Sequence, residues 1–124
     1  MQLLALEGSE GGMTPGLGLV DARVIRLPEA NGLPLPHVGW SPVRFRFDHP
    51  LIEGIKPERD YYFVHSYAMI TEQPHECLGE SEYGIPFVSI VAKGNVVGCQ
   101  FHPEKSQANG LRMIENFCSW DGSC

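Results

Sequence analysis

The chain reads as a strand-rich α/β protein, either α+β or the mixed-sheet half of a larger α/β fold. Three observations lead there. Strand-like segments run consecutively through the middle of the sequence, a tight-turn signal joins the last two, and the only long stretch with helical spacing lies at the C-terminus. At 124 residues the chain fits one domain at most.

The elements follow in order. Met1 to Glu7 reads as a short helical turn with apolar Leu3, Leu4 and Leu6, broken by Gly8-Ser9-Glu10-Gly11-Gly12. It starts without an N-cap, as a helix cut from its front would. Val20 to Leu27 is β-branched and apolar, and Pro28 to Pro36 is a loop. Val43, Phe45 and Phe47 alternate with Arg44, Arg46 and Asp48, which predicts a half-buried strand. Tyr61 to Val64 is a short apolar run ending at His65-Ser66-Tyr67. Ile85 to Ala92 and Val96 to Phe101 flank Lys93-Gly94-Asn95, a hairpin signal. Leu111, Ile114, Phe117 and Cys118 then fall at helical spacing and predict a closing amphipathic helix.

Bulk properties narrow the function. Nine basic against fifteen acidic residues give a net charge of −6, which argues against nucleic acid, whose phosphates draw on clustered Lys and Arg. No window approaches the roughly 20 apolar residues of a membrane span, and Met1 to Glu10 lacks the basic region of a signal peptide. Cys77, Cys99, Cys118 and Cys124 show no CxxC pair, so reduced, structural thiols and a cytoplasmic protein are expected.

The chemistry gathers at Gly98-Cys99-Gln100-Phe101-His102-Pro103-Glu104-Lys105-Ser106. Two residues apart along a strand, His102 and Glu104 share a face, and Pro103 biases His102 toward an extended backbone. A carboxylate beside an imidazole holds one tautomer and stabilises the imidazolium formed on proton transfer. A bare His-Pro-Glu also closes strands with its polar groups in water, so the tripeptide alone decides little. Cys99, three residues before His102, is expected to point to the opposite face and to lack what lowers a thiol pKa. Cys77 is read as a loop residue and Cys118 as a residue of the last helix, neither aimed at His102; Cys124 is terminal.

From Gly98 to Phe117 the pattern resembles the C-terminal signature of the class I, triad-type glutamine amidotransferases. Pro36-His37-Val38-Gly39-Trp40, His49-Pro50-Leu51 and Tyr62-Phe63-Val64-His65-Ser66-Tyr67 are similar to the glutaminase subunit of imidazole glycerol phosphate synthase, and the likeness runs from Met1 to Phe117. It implies a flavodoxin-like α/β fold with a mixed sheet, and His102 as general base and acid oriented by Glu104. It implies that Gln2 holds the substrate glutamine, Glu10 faces its α-amino group, and Ser66 and Tyr67 line the same pocket. Trp40 and Lys105 would meet a cyclase subunit, a (β/α)₈ barrel that takes the released ammonia in histidine biosynthesis. The resemblance implies neither a metal nor an organic cofactor.

In that family the nucleophile stands in Gly-x-Cys-x-Gly-Met-Gln-Leu-Leu, and this sequence opens Met1-Gln2-Leu3-Leu4. The resemblance therefore places the nucleophile before residue 1. The expectation is a single truncated amidotransferase domain over residues 1–124 that is inactive alone and self-associates through uncovered apolar surface. A non-catalytic fold fragment, or the glutaminase part of an anthranilate or GMP synthase, is the competing reading.

Overall fold

The computed structural model describes residues 1–29 and 32–123; Cys124 and part of the Pro28 to Pro36 loop lie outside them. Ten strands and one long helix are present among the described residues. In chain order the strands are β1 (Glu7–Gly8), β2 (Thr14–Pro15), β3 (Ala22–Arg26), β4 (His37–Pro42), β5 (Arg44–Phe45), β6 (Asp60–His65), β7 (Tyr67–Thr71), β8 (Cys77–Glu82), β9 (Pro86–Lys93) and β10 (Val96–Cys99). The helix, α1, is Gln107–Ser119.

The main sheet runs β2-β1-β3-β7-β9-β8-β5, with β10 also paired to β9. β1 and β3 are parallel and the other pairs antiparallel, so the sheet is mixed as expected. β4 and β6 form a separate ribbon in which His37 lies opposite His65 and Trp40 opposite Tyr62. β9 is buried on both faces, and its near-continuous apolar run Phe87-Val88-Ser89-Ile90-Val91-Ala92 suits that place. One core, containing Tyr61, Phe63, Phe87, Ile90, Phe101 and Met113, lies under the ribbon and α1. A second, with Ala5, Val20, Val24, Met69 and Val91, fills the opposite face of the sheet.

Several sequence expectations need correction. Met1 to Glu7 is a single 3₁₀ turn over Gln2–Leu4 that runs into β1. The strand expected around Val43 to Phe47 shrinks to Arg44–Phe45: Val43 is fully buried but Phe47 is exposed, because only two residues find partners on β8. Cys77 opens β8 and donates its thiol to the Gly79 carbonyl; it is not in a loop. The hairpin forms as expected, with Lys93 opposite Val96 and Gly94 at a positive φ of 58°. The final helix also forms, but the stripe that predicted it faces outward: Leu111 and Phe117 are each 53% exposed.

The reason is local. α1 seats on the turn Pro103–Lys105 through Gly110, where an added Cβ would lie 2.0 Å from the Pro103 carbonyl oxygen. Asn116 Nδ2 donates to the carbonyls of Leu51 and Glu53, each at 2.9 Å. Those contacts turn Gly110 and Met113 inward and leave the larger apolar side chains outside.

His37 and His65 are both buried within the ribbon. His65 Nδ1 lies 2.7 Å from the Tyr67 carbonyl, His65 Nε2 is 2.9 Å from His37 Nδ1, and His37 Nε2 is 2.9 Å from Ser41 Oγ. The rings of Phe63, Tyr83 and Phe87 pack on the pair. Burial, then the neighbouring His65, pushes His37 down to about 4; burial also lowers His65, against its bond to the Tyr67 carbonyl. Burial lowers His49 as well.

The sign follows. An unfolded His takes a proton near 6.5 that the folded ring refuses, so acid favours the unfolded chain. For His37 that contribution is complete above pH 6.5 and is lost as pH falls through the interval from there towards the folded value of about 4, and the lowered His65 and His49 act in the same direction. The urea midpoint is expected to be lower at about pH 5 than at pH 7.5, with a shallower slope in His37→Phe; a flat or rising midpoint would contradict this.

Candidate active site around His102

His102 follows β10 after a bend, with φ −94° and ψ 98°, the extended backbone expected before Pro103. Its Nδ1 is 2.9 Å from Glu104 Oε1. The pairing is made by the 3₁₀ turn Pro103–Lys105, not along a strand, because β10 ends at Cys99. With the side chains 43% and 55% exposed, the pair is open to solvent and adds little to stability. The Glu104 carboxyl is held below the usual carboxylate range, first by its own backbone N–H, then by the bond to His102, with charge from His102 and Lys105 adding to it. It is therefore anionic at neutral pH, the form that orients an imidazole and stabilises its protonated state.

The turn is pinned from below. The His102 backbone N–H donates to the Tyr62 carbonyl at 2.9 Å. The buried Ser106 hydroxyl accepts from the Tyr62 N–H at 3.0 Å and donates to the His102 carbonyl at 2.6 Å. Both backbone polar groups of Tyr62 on β6 are thus spent on the segment that carries His102. Ser106 sits inside the motif that drew attention to His102, yet its role depends on a strand 44 positions away.

A cleft of about 840 Å³ opens beside the imidazole. Gln2, Glu10, Ser66, Tyr67 and His102 all line it, so five of the candidate residues, separated by up to 100 positions, meet in one place. Gln2 Nε2 donates to the Tyr67 carbonyl and to Gln100 Oε1, both at 2.9 Å. Those two acceptors fix which end of the carboxamide is nitrogen. Gln100 was not singled out from the sequence, although it lies in the same motif. Ser66 is set at the β6–β7 corner, where its carbonyl accepts from the Leu27 N–H at 2.9 Å.

Trp40 and Lys105 stand apart from the cleft. On the outer face of the ribbon the Trp40 ring packs edge-on to Tyr62 at 5.6 Å, and Lys105 Nζ lies 6.0 Å above the Tyr62 ring. Tyr62, within the apolar run Tyr61 to Val64, is only half-buried, because β-strand alternation turns it outward between its two fully buried neighbours.

Cys99 lines this cleft and also the apolar groove under α1, and it packs against the core that holds Phe101 and Met113. What disqualifies it as a nucleophile is protonation. Burial pushes its thiol up to about 11, Glu104 adds to that, and only the terminal ammonium opposes it. Cys77, buried in β8, is likewise raised to about 11, and Cys118 is exposed on α1. Thiolate is the reactive form, so neither Cys99 nor Cys77 supplies one at neutral pH. Among the described residues no three His, Cys, Asp or Glu side chains converge as a metal cage would require, and no helix is long and apolar enough to cross a membrane.

Comparison with known proteins bears on this geometry. The sequence profile of the family described as glutamine amidotransferase class-I matches residues 1–119. The imidazole glycerol phosphate synthase subunit HisH of Azospirillum brasilense is 43% identical over 121 residues, covering 97% of this chain and 63% of that protein. The subunit of the same name from Symbiobacterium thermophilum is 50% identical over 117 residues, 94% of this chain and 54% of its own length. That of Rhodospirillum rubrum is 48% identical over 122 residues, with 97% and 57% covered. The chain thus spans somewhat more than half the length of these relatives. With the match reaching from Met1 through the His102–Glu104 turn and along α1, the chain belongs to the class-I glutamine amidotransferase family.

Proposed function

We propose that residues 1–124 form the base-carrying part of one amidotransferase domain, which hydrolyses glutamine to supply ammonia for imidazole glycerol phosphate synthesis in the cytoplasm. The observation that carries this is the His102–Glu104 pair at 2.9 Å beside a cleft lined by Gln2, Glu10, Ser66 and Tyr67. In that cleft a glutamine would set its side-chain amide toward His102 and its α-amino group toward the Glu10 carboxylate. Ser66 and Tyr67 would supply the corner against which it rests, with Gln2 holding the far wall.

His102 takes a proton from an attacking thiol and returns it to the leaving ammonia, then activates water to resolve the thioester. Glu104 holds the ring by Nδ1, which leaves Nε2 for the reacting atoms. Cys99 and Cys77 stay protonated and Cys118, exposed on α1, does not line the cleft, so on this reading the thiol comes from outside the described residues. On this reading the chain has a proton carrier and a pocket but no nucleophile.

The outer face of the ribbon is the surface proposed to meet the cyclase, a (β/α)₈ barrel. Trp40 at 47% exposure, Val38 and Val64 offer an apolar patch, with Lys105 above Tyr62 as the charged group at its edge. An aromatic anchor flanked by a cation is the composition of an interface centre.

A second reading, self-association of this chain, is favoured by one observation. Leu111, Ile114 and Phe117 on α1 are uncovered, and an apolar groove of about 210 Å³ runs between Ile114, Phe117 and Val97 of β10. Among the described residues β10 pairs only with β9 and leaves an open edge.

Two experiments test these readings. The purified chain is expected to release no ammonia from glutamine. Mixed with the N-terminal segment of the Azospirillum brasilense subunit, it is expected to gain activity, lowered about 10²- to 10⁴-fold by His102→Ala. Activity of the chain alone, or a His102→Ala complex that keeps the rate, would overturn the proposal. By light scattering at micromolar concentration the chain alone is expected to run as a dimer or larger and to dissociate in Phe117→Glu; a wild-type monomer would count against self-association.

A further inference from the structure

We infer that His65 is a positioning residue of the glutamine pocket, holding the Tyr67 carbonyl that orients Gln2, with its tautomer set by that carbonyl and the same polarity imposed in turn on His37 and Ser41. The polarity follows from the Tyr67 end. A carbonyl oxygen only accepts, so the His65 nitrogen 2.7 Å away, Nδ1, carries the proton. In a neutral ring that leaves Nε2 as an acceptor, so His37 Nδ1, 2.9 Å away, must donate to it. His37 Nε2 is then the acceptor for the Ser41 hydroxyl at 2.9 Å.

Both rings are therefore fixed in the Nδ1–H tautomer by their partners, and both are buried in an aromatic setting that keeps them neutral. The chain continues into the cleft. The Tyr67 carbonyl accepts a second bond, from Gln2 Nε2, and that nitrogen's other bond goes to Gln100. The backbone oxygen that His65 grips is thus the one that points the Gln2 carboxamide.

The geometry has the form a positioning device requires. His65 lines the cleft, yet both of its ring nitrogens are engaged, one by Tyr67 and one by His37. It has no free nitrogen with which to act on a substrate, so its effect reaches the pocket through the carbonyl. Only the statement that Gln2 contacts glutamine rests on the proposed function; the hydrogen-bond polarity stands without it.

The test uses the chain itself at about pH 7.5. Proton–nitrogen correlation spectra are expected to show both imidazoles protonated at Nδ1 and bare at Nε2; an Nε2–H form at His65 would overturn the inference. His65→Leu removes the donor to Tyr67, whereas His65→Asn keeps an N–H near the position of Nδ1. Exchange of the Gln2 carboxamide protons with water is expected to be about tenfold faster in His65→Leu, as for one hydrogen bond lost, and near wild type in His65→Asn.

A merely space-filling role gives the reverse order, and that result would also overturn it. If His65→Leu does not fold, His65→Gln, whose amide reaches toward His37 and away from Tyr67, is expected to show the same acceleration. The two readings separate cleanly. A wild-type chain with these tautomers that binds no L-glutamine contradicts the proposed substrate and leaves the positioning role standing. Glutamine binding with an Nε2–H His65 does the opposite.

Discussion

The Ser106 hydroxyl is the junction on which the site depends. It sits between the Tyr62 N–H and the His102 carbonyl, while the Tyr62 carbonyl takes the His102 N–H. These three bonds tie the β4–β6 ribbon to the turn that carries the imidazole. Just beyond them Gly110 lets α1 approach to where any Cβ would collide with the Pro103 carbonyl. The ribbon, the turn and the helix are thus fixed together. A buried hydroxyl satisfied on both sides is a rigid link, and losing it would leave a backbone N–H without a partner, at a cost of about 1–3 kcal/mol.

That junction also explains how an exposed pair can be well ordered. His102 and Glu104 are open to solvent, as proton transfer to a substrate requires, and their mutual bond stabilises little. Their geometry is held by the main chain beneath them. The same division recurs across the cleft, where Gln2, Ser66 and Tyr67 are positioned by backbone carbonyls and by the buried His37–His65 pair. On both walls the groups that would touch a ligand are set by buried groups with paired donors and acceptors.

The sequence made the local features legible. The Gly94-Asn95 hairpin, the extended backbone before Pro103, the closing helix and the nearness of Glu104 to His102 follow from rules that reach only a few residues along the chain. The likeness to a family pattern supplied the candidate pocket residues, which no periodicity could have gathered. What stayed hidden depends on distant partners. β8 carries the mixed polar sequence Cys77-Leu78-Gly79-Glu80-Ser81-Glu82 and becomes a strand because β9 pairs along it, while β7 is laid down against β3 from Ala22 to Arg26. The outward face of α1 could not be foreseen from its apolar stripe, since the helix is placed by Gly110 and Asn116 on turns far away in sequence.

The account's central claim is that these buried links build a seat for glutamine beside His102. Titration of the isotope-labelled chain with L-glutamine, followed residue by residue in amide spectra, tests it most directly. The account predicts saturable shifts at Gln2, Ser66, Tyr67 and His102. Shifts confined to the other large cleft, between Phe45 and Pro57, or none at all, would contradict it.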